Sequence, residues 1–132
     1  MKKTVATQGA PQALGPYSQG LRVSAAETLY CSGQVGINPQ TGDFAGEQVE
    51  VQAKQALENI KAIVTAAGFE VAEIVKMTVF MTEITDFKKV NEVYADFFKE
   101  VTQLPARSAV GVQALPADAK VEIEAFAVHQ HQ

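Results

Sequence analysis

Two stretches that flank one glycine follow different apolar periods, and this change restricts the fold more than any other feature of the chain. From Glu47 to Ala67 the apolar positions Val49, Ala53, Ala56, Leu57, Ile60, Ile63, Val64 and Ala67 recur at helical spacing. That spacing predicts an amphipathic helix, with Gly68 as the left-handed residue that ends it. Just beyond, "EIVKMTVFMTE" alternates, with Val75, Met77, Val79 and Met81 on one side and Lys76, Thr78, Phe80 and Thr82 on the other. A central strand with two unlike faces, next to an amphipathic helix, calls for a sheet covered on one side.

The remaining elements fit that frame. "TDFKKVNEVYADFFKEV" predicts a second helix, with Thr85 or Asp86 as N-cap and Phe87, Val90, Val93, Tyr94 and Phe97 turned inward. Near the start, "KKTVA" reads as a short strand and Gln8 to Gly20 as an ordered irregular loop. "GLRVSA" and "TLYCSG" read as strands joined by a turn near Ala26 and Glu27, and "NPQTGD" carries turn chemistry. Two final strands separate by parity. Ser108, Val110 and Val112 oppose Arg107, Ala109 and Gly111, while Val121, Ile123, Ala125 and Ala127 oppose Glu122, Glu124, Phe126 and Val128. With the aliphatic sets under the helices, Arg107, Glu122, Glu124, Lys76, Phe80 and Phe126 are expected on the open face. Phenylalanines beside charges there suggest contact with another copy, with any pocket near the subunit boundary.

Composition narrows the function classes. A chain of 132 residues with no linker or repeat fits one domain, residues 1–132. Its formal net charge of −4 argues against a protein built to grip phosphate backbones, so nucleic acid is a poor partner. The one cysteine, Cys31, excludes an intramolecular disulfide and a thiolate metal centre, and it reads as a small buried hydrophobe. "MKKTVATQGAPQALG" has two lysines but no apolar run, and no segment reaches membrane-spanning length, so the expectation is a cytoplasmic protein without membrane partners.

Few residues carry candidate chemistry. Arg107 stands among small neighbours, where its planar fork suits a carboxylate; a salt bridge to a glutamate of the next strand is the plainer alternative. Glu122 and Glu124 share a face with side chains roughly 7 Å apart. Either carboxylate can hold a water and accept its proton, or merely form a solvated edge. The chain shows no sugar cleft that would favour a glycosidase pair. Tyr17 and Ser32 offer hydroxyls at loop or strand-end positions, for a ligand or for turn hydrogen bonds. Both histidines, His129 and His131, lie in the terminal "HQHQ", read as a frayed tail, and no G-x-S-x-G elbow surrounds Ser32, so a Ser-His-acid triad is not expected. No spacing of metal ligands and no phosphate-cradling glycine loop occurs.

Five fragments in order, "APQALGPYSQG", "CSGQVGINPQTG", "QALENIKAIVTAAG", "IVKMTVFMTEITDFKKVNEVYADFF" and "PARSAVGVQALPADAKVEIEAFAV", make the chain resemble the reactive intermediate deaminase (Rid, or YjgF) family over nearly its full length, and within it the RidA type. The resemblance implies a chorismate-mutase-like α+β fold, a mixed sheet with two helices on one face, assembled as a homotrimer with clefts between subunits. It implies hydrolysis of enamine and imine acids such as 2-aminoacrylate and 2-aminocrotonate, released by pyridoxal-phosphate-dependent dehydratases, to 2-oxo acids and ammonia, with no cofactor of its own. Carried over by position, Arg107 grips the substrate carboxylate and Glu122 positions the water. Tyr17, Ser32, Gly33 and Asn91 match pocket positions, and Glu124 becomes structural. RidA-type members commonly have cysteine where this chain has Ala109, which removes a thiol nucleophile but keeps a backbone contact there. Two rival readings are a non-catalytic trimeric sensor of small carboxylates or 2-oxo acids, and a ribonuclease or translation inhibitor; a chaperone-like role has also been suggested for relatives.

Overall fold

The computed structural model describes residues 1–130. Six strands and two α-helices follow one another along it: β1 (Lys2–Val5), β2 (Gly20–Val23), β3 (Ala25–Val35), α1 (Val49–Ala66), β4 (Ile74–Met81), α2 (Phe87–Phe97), β5 (Ala106–Gly111) and β6 (Val121–Gln130). β1 and β2 form an antiparallel ribbon, and the other four make a sheet in the order β3-β6-β4-β5. β6 runs antiparallel to both its neighbours while β4 and β5 are parallel, so the sheet is mixed. Parallel neighbours need a crossover, and α2 supplies it between β4 and β5. This α+β architecture with two helices agrees with the sequence expectation.

α1 buries Val49, Ala53, Ala56, Leu57, Ile60 and Val64, and lies on β3 and β6 and against α2. Its stripe also buries Gln52, whose side chain donates to the Gly46 carbonyl at 3.1 Å and accepts from the Lys120 amide at 2.9 Å. Ala67 falls just outside the stripe, exposed at the C-cap. Gly68 has φ +82°, and the Phe69 amide donates to Val64 while the Gly68 amide donates to Thr65, a complete Schellman closure. Gly68→Ala is therefore expected to cost about 1 kcal/mol and lower the melting temperature by roughly 4 °C at fixed protein concentration, measured by circular dichroism.

On β4 the alternation holds at Met77, Val79 and Met81, all buried against the helices. It fails at Val75. A register shift between Ile74 and Lys76 in the pairing with β6 inserts one residue, so Ile74 takes the buried place. The turn expected near Ala26 and Glu27 is likewise a bulge: both residues lie within β3, which shifts register between Ala25 and Glu27. The strands β2 and β3 are separated at Ser24 alone, whose amide donates to the Met1 carbonyl at 2.8 Å. α2 starts after a one-turn 3-10 segment, Ile84–Asp86, and Asp86 holds the N-cap position without a side-chain cap bond. Tyr94 and Val90 face inward, as does Phe98 just past the helix end, but Phe87 is 37% exposed.

The end of β6 is anchored where a frayed tail was expected. His129 stacks on Phe69 with ring centroids 3.7 Å apart, its Nδ1 lies 2.7 Å from Glu73 Oε2, and its Nε2 lies 3.6 Å from Glu27 Oε1. His131 falls outside the described residues.

Candidate active site

Strand register decides where the candidate residues stand. Across the parallel β4–β5 pair, Arg107 is opposite Met77 and Ala109 opposite Val79, so both share the helix-covered face. Ser108 and Val110 take the open face, where Lys76 Nζ donates to Ser108 Oγ at 3.0 Å. This reverses the expectation for β5. Neither of its two residue sets is rich in large apolar side chains, so pairing with β4, rather than burial of a greasy face, sets the orientation.

Arg107 is half-buried at the edge of the helix layer. Its Nη1 donates to Asn91 Oδ1 at 2.7 Å, and its guanidinium carbon lies 4.8 Å from the ring centre of Tyr94, 5.1 Å from that of Tyr17 and 5.3 Å from that of Phe87. No carboxylate pairs with it among the described residues. Burial pulls the guanidinium below its ordinary pKa, and the Tyr94 and Tyr17 phenols oppose that shift. The side chain faces a depression lined by Tyr17, Ile84, Phe87 and Ala109.

Tyr17 reaches this place because its loop is fastened to β5. Ser18 bridges to Ala106, its amide donates to Pro105 O at 3.1 Å, and its hydroxyl donates to Leu104 O at 2.5 Å. Farther back, Gln19 ties the loop together, its amide nitrogen donating to the carbonyls of Thr7, Ala10 and Pro11. Tyr17 Oη accepts from the Leu14 amide at 3.3 Å.

Glu122 belongs to a separate group. It lies on β6 between Val35 of β3 and Phe80 of β4, on the face away from the helices, half-buried. Beside it β3 bulges between Cys31 and Gln34, and this irregularity contains Ser32 and Gly33. A Cβ on Gly33 would come within 2.6 Å of Glu122 Oε2, so only glycine permits the strand and the carboxylate to meet this closely. Glu124 pairs with Thr78 one step farther along the same face. Cys31 is buried, and burial pushes its thiol pKa up, consistent with a packing role.

The seven candidate residues thus divide into Arg107, Tyr17, Asn91 and Ala109 on one face and Glu122, Ser32 and Gly33 on the other. Arg107 and Glu122 are two strands apart and three residues out of line, roughly 14 Å between Cα atoms, with side chains on opposite faces. A ligand of a few heavy atoms cannot touch both within one chain. Two further residues at the arginine, Phe87 and Tyr94, escaped the sequence reading as site residues. The spacing of Phe87 and Tyr94 about Asn91 on α2 is the available signal, but the two aromatics read as part of the inward stripe. Among the described residues no group of His, Cys, Asp and Glu side chains is arranged to hold a metal ion, and no helix is long and apolar enough to cross a membrane.

Comparison with known proteins shows the family. The family model described as Endoribonuclease L-PSP matches residues 7–129. The chain is 51% identical over 131 residues to a 2-iminobutanoate/2-iminopropanoate deaminase of Salmonella typhimurium, covering 98% of this chain and all of that one. Among solved structures it matches E. coli TdcF with bound serine at 49% identity and a TM-score of 0.75, covering 97% of this chain and 99% of that one. It matches RidA from an Antarctic Psychrobacter at 42% identity and a TM-score of 0.74, covering 96% and 99%. With both sequence and fold matched from end to end, the chain belongs to the reactive intermediate deaminase (Rid, or YjgF) family.

Proposed function

We propose that this protein is a hydrolase acting on C–N bonds, a deaminase that converts reactive 2-imino acids to 2-oxo acids and ammonia. The observation that carries the reading is the Arg107 guanidinium, half-buried, oriented by Asn91 and lacking a carboxylate partner among the described residues. Such a cation in a partly dry site favours a small carboxylate that can accept two parallel N–H bonds. The name of the Salmonella relative supports imines of three and four carbons as substrates. Dehydratases that use pyridoxal phosphate release enamines of this kind, 2-aminoacrylate and 2-aminocrotonate, from serine and threonine.

The chemistry asks little of the protein. In the imino tautomer, protonated on nitrogen, the C=N carbon is electrophilic. With the carboxylate held by Arg107, a water held by Glu122 adds to that carbon, forming a C–O bond while the carboxylate takes the water's proton. The resulting carbinolamine breaks its C–N bond as the Glu122 carboxyl returns the proton to nitrogen, and the hydroxyl passes its own proton to the carboxylate so freed, its C–O bond becoming the carbonyl of the 2-oxo acid as ammonia leaves. Tyr17, Ser32, Gly33 and the Ala109 backbone are assigned to the walls of this site. No metal or cofactor takes part in these steps.

Because one chain separates the two halves, the working site is assigned to a boundary between copies, with the arginine half from one subunit and the glutamate half from the next. Exposed Tyr30 and Val110 support burial of the open face by another copy, and Tyr30 meets Phe126 edge-on at 5.2 Å. A ring of three, as the family resemblance implies, repeats one contact and makes three identical clefts. RNA cleavage has the family model's description in its favour and the chain's net charge of −4 against it.

The direct test couples a serine or threonine dehydratase to the purified protein and follows 2-oxo acid release. Acceleration is expected at catalytic concentrations. An unchanged rate, with 2-oxobutanoate still binding through Arg107, would instead leave a sensor of small carboxylates.

A further inference from the structure

Phe87, Asn91 and Tyr94 stand at i, i+4 and i+7 on α2, so one stripe of the helix is presented to a single side chain, Arg107. Tyr94 is fully buried, yet its hydroxyl has no hydrogen-bond partner among the described residues. Burial pushes the phenol pKa far up, with the Arg107 charge opposing. Among the described residues the hydroxyl joins no polar network, and Tyr94 meets the guanidinium with its ring. Phe87 has no polar group at all and remains 37% exposed although an amphipathic stripe would bury it. Its ring meets the same cation from the depression's rim.

We propose that Phe87 and Tyr94 are positioning residues for Arg107, acting with Tyr17 as an aromatic clamp. Ring faces attract a cation through their quadrupoles, and the attraction grows when water is removed. They do this without accepting the guanidinium's N–H groups in conventional hydrogen bonds. Asn91 takes one N–H, and the Arg107 guanidinium makes no other hydrogen bond among the described residues, so its remaining donors stay available in a fixed plane. A carboxylate counter-ion in the same place would hold the arginine but consume the donors a substrate needs. The clamp resolves that conflict, restricting the side chain before a ligand arrives. It rests on the carboxylate-gripping role proposed above.

Two measurements on the assembled protein test it. Nitrogen-15 relaxation and hindered Nε–Cζ rotation of Arg107, recorded without ligand, are expected to show a restricted guanidinium in the wild type, released in Phe87→Leu and in Tyr94→Leu, and restricted again in Tyr94→Phe. Calorimetry with 2-oxobutanoate is expected to show affinity weakened about fivefold in Phe87→Leu and about tenfold in Tyr94→Leu, with Tyr94→Phe restoring it. Neither leucine substitution should weaken binding further in an Arg107→Ala background. A guanidinium equally restricted in Phe87→Leu would overturn the clamp, as would a binding loss that persists undiminished without Arg107, or a Tyr94→Phe variant no better than Tyr94→Leu. Failure of the carboxylate reading looks different: 2-oxobutanoate would then bind Arg107→Ala as well as the wild type, while the relaxation result still decides the clamp.

Discussion

Glu122→Gln is expected to lower kcat by roughly a hundredfold to ten-thousandfold, while affinity for 2-oxobutanoate stays within a factor of about two. The amide has the shape of the carboxylate, and β6 keeps its pairing with β3 and β4, so the cleft wall survives. What is lost is the ability to take a proton from water, whose usual worth is of that order. Arg107→Ala should show the opposite division. Removing a charge-assisted, two-point contact weakens carboxylate binding and lowers kcat/KM by about a hundredfold. Steady-state kinetics in the dehydratase-coupled assay, with calorimetry on the same variants, separates the two patterns. Full turnover in Glu122→Gln would remove this residue from the chemistry and leave the water to be oriented by some other group.

Arg107→Ala and Glu122→Gln subunits, each nearly inactive alone, are expected to regain about a quarter of wild-type activity when unfolded together in equal amounts and reassembled. The arithmetic follows from a cyclic arrangement in which each cleft takes its arginine from one copy and its glutamate from the neighbour. Random mixing then gives an intact arginine half beside an intact glutamate half in one cleft of four. A site built within one chain could not be rescued, since every chain would carry a lesion. Recovery near zero, with mixed oligomers demonstrated by mass spectrometry, would contradict the shared cleft. The roughly 14 Å separation on opposite sheet faces is the physical reason for expecting rescue.

Elements whose periodicity is enforced by burial were legible in the sequence. α1 and its glycine stop, the alternation of β4 from Met77 to Met81 and the buried set on β6 all appear as read, because large apolar side chains there leave one acceptable orientation. Illegible were the features set by pairing between distant strands. The bulges at Val75 and between Ala25 and Glu27 depend on what β6 presents, not on local composition. Arg107 is expected on the wrong face because Val110 and Val112 make the opposite set look like the covered one, whereas pairing with β4 turns Arg107 toward the helices and leaves Val110 exposed. His129 read as a loose end because its partners Phe69, Glu73 and Glu27 come from elements far away in the sequence. The resemblance selected the candidate residues without showing that one chain holds them apart.

β6 lies between β3 and β4, and its pairing joins Leu29 to Ala127, residues separated by most of the chain. Contacts this distant form late, because the entropy of closing so long a loop is lost before the pairing repays it. α1 and β4 are neighbours in sequence, whereas β3 and β4 are joined only through β6, the inner strand between them. Glu122 travels on that strand. The proposed proton acceptor is therefore expected to be among the last groups placed as the chain folds.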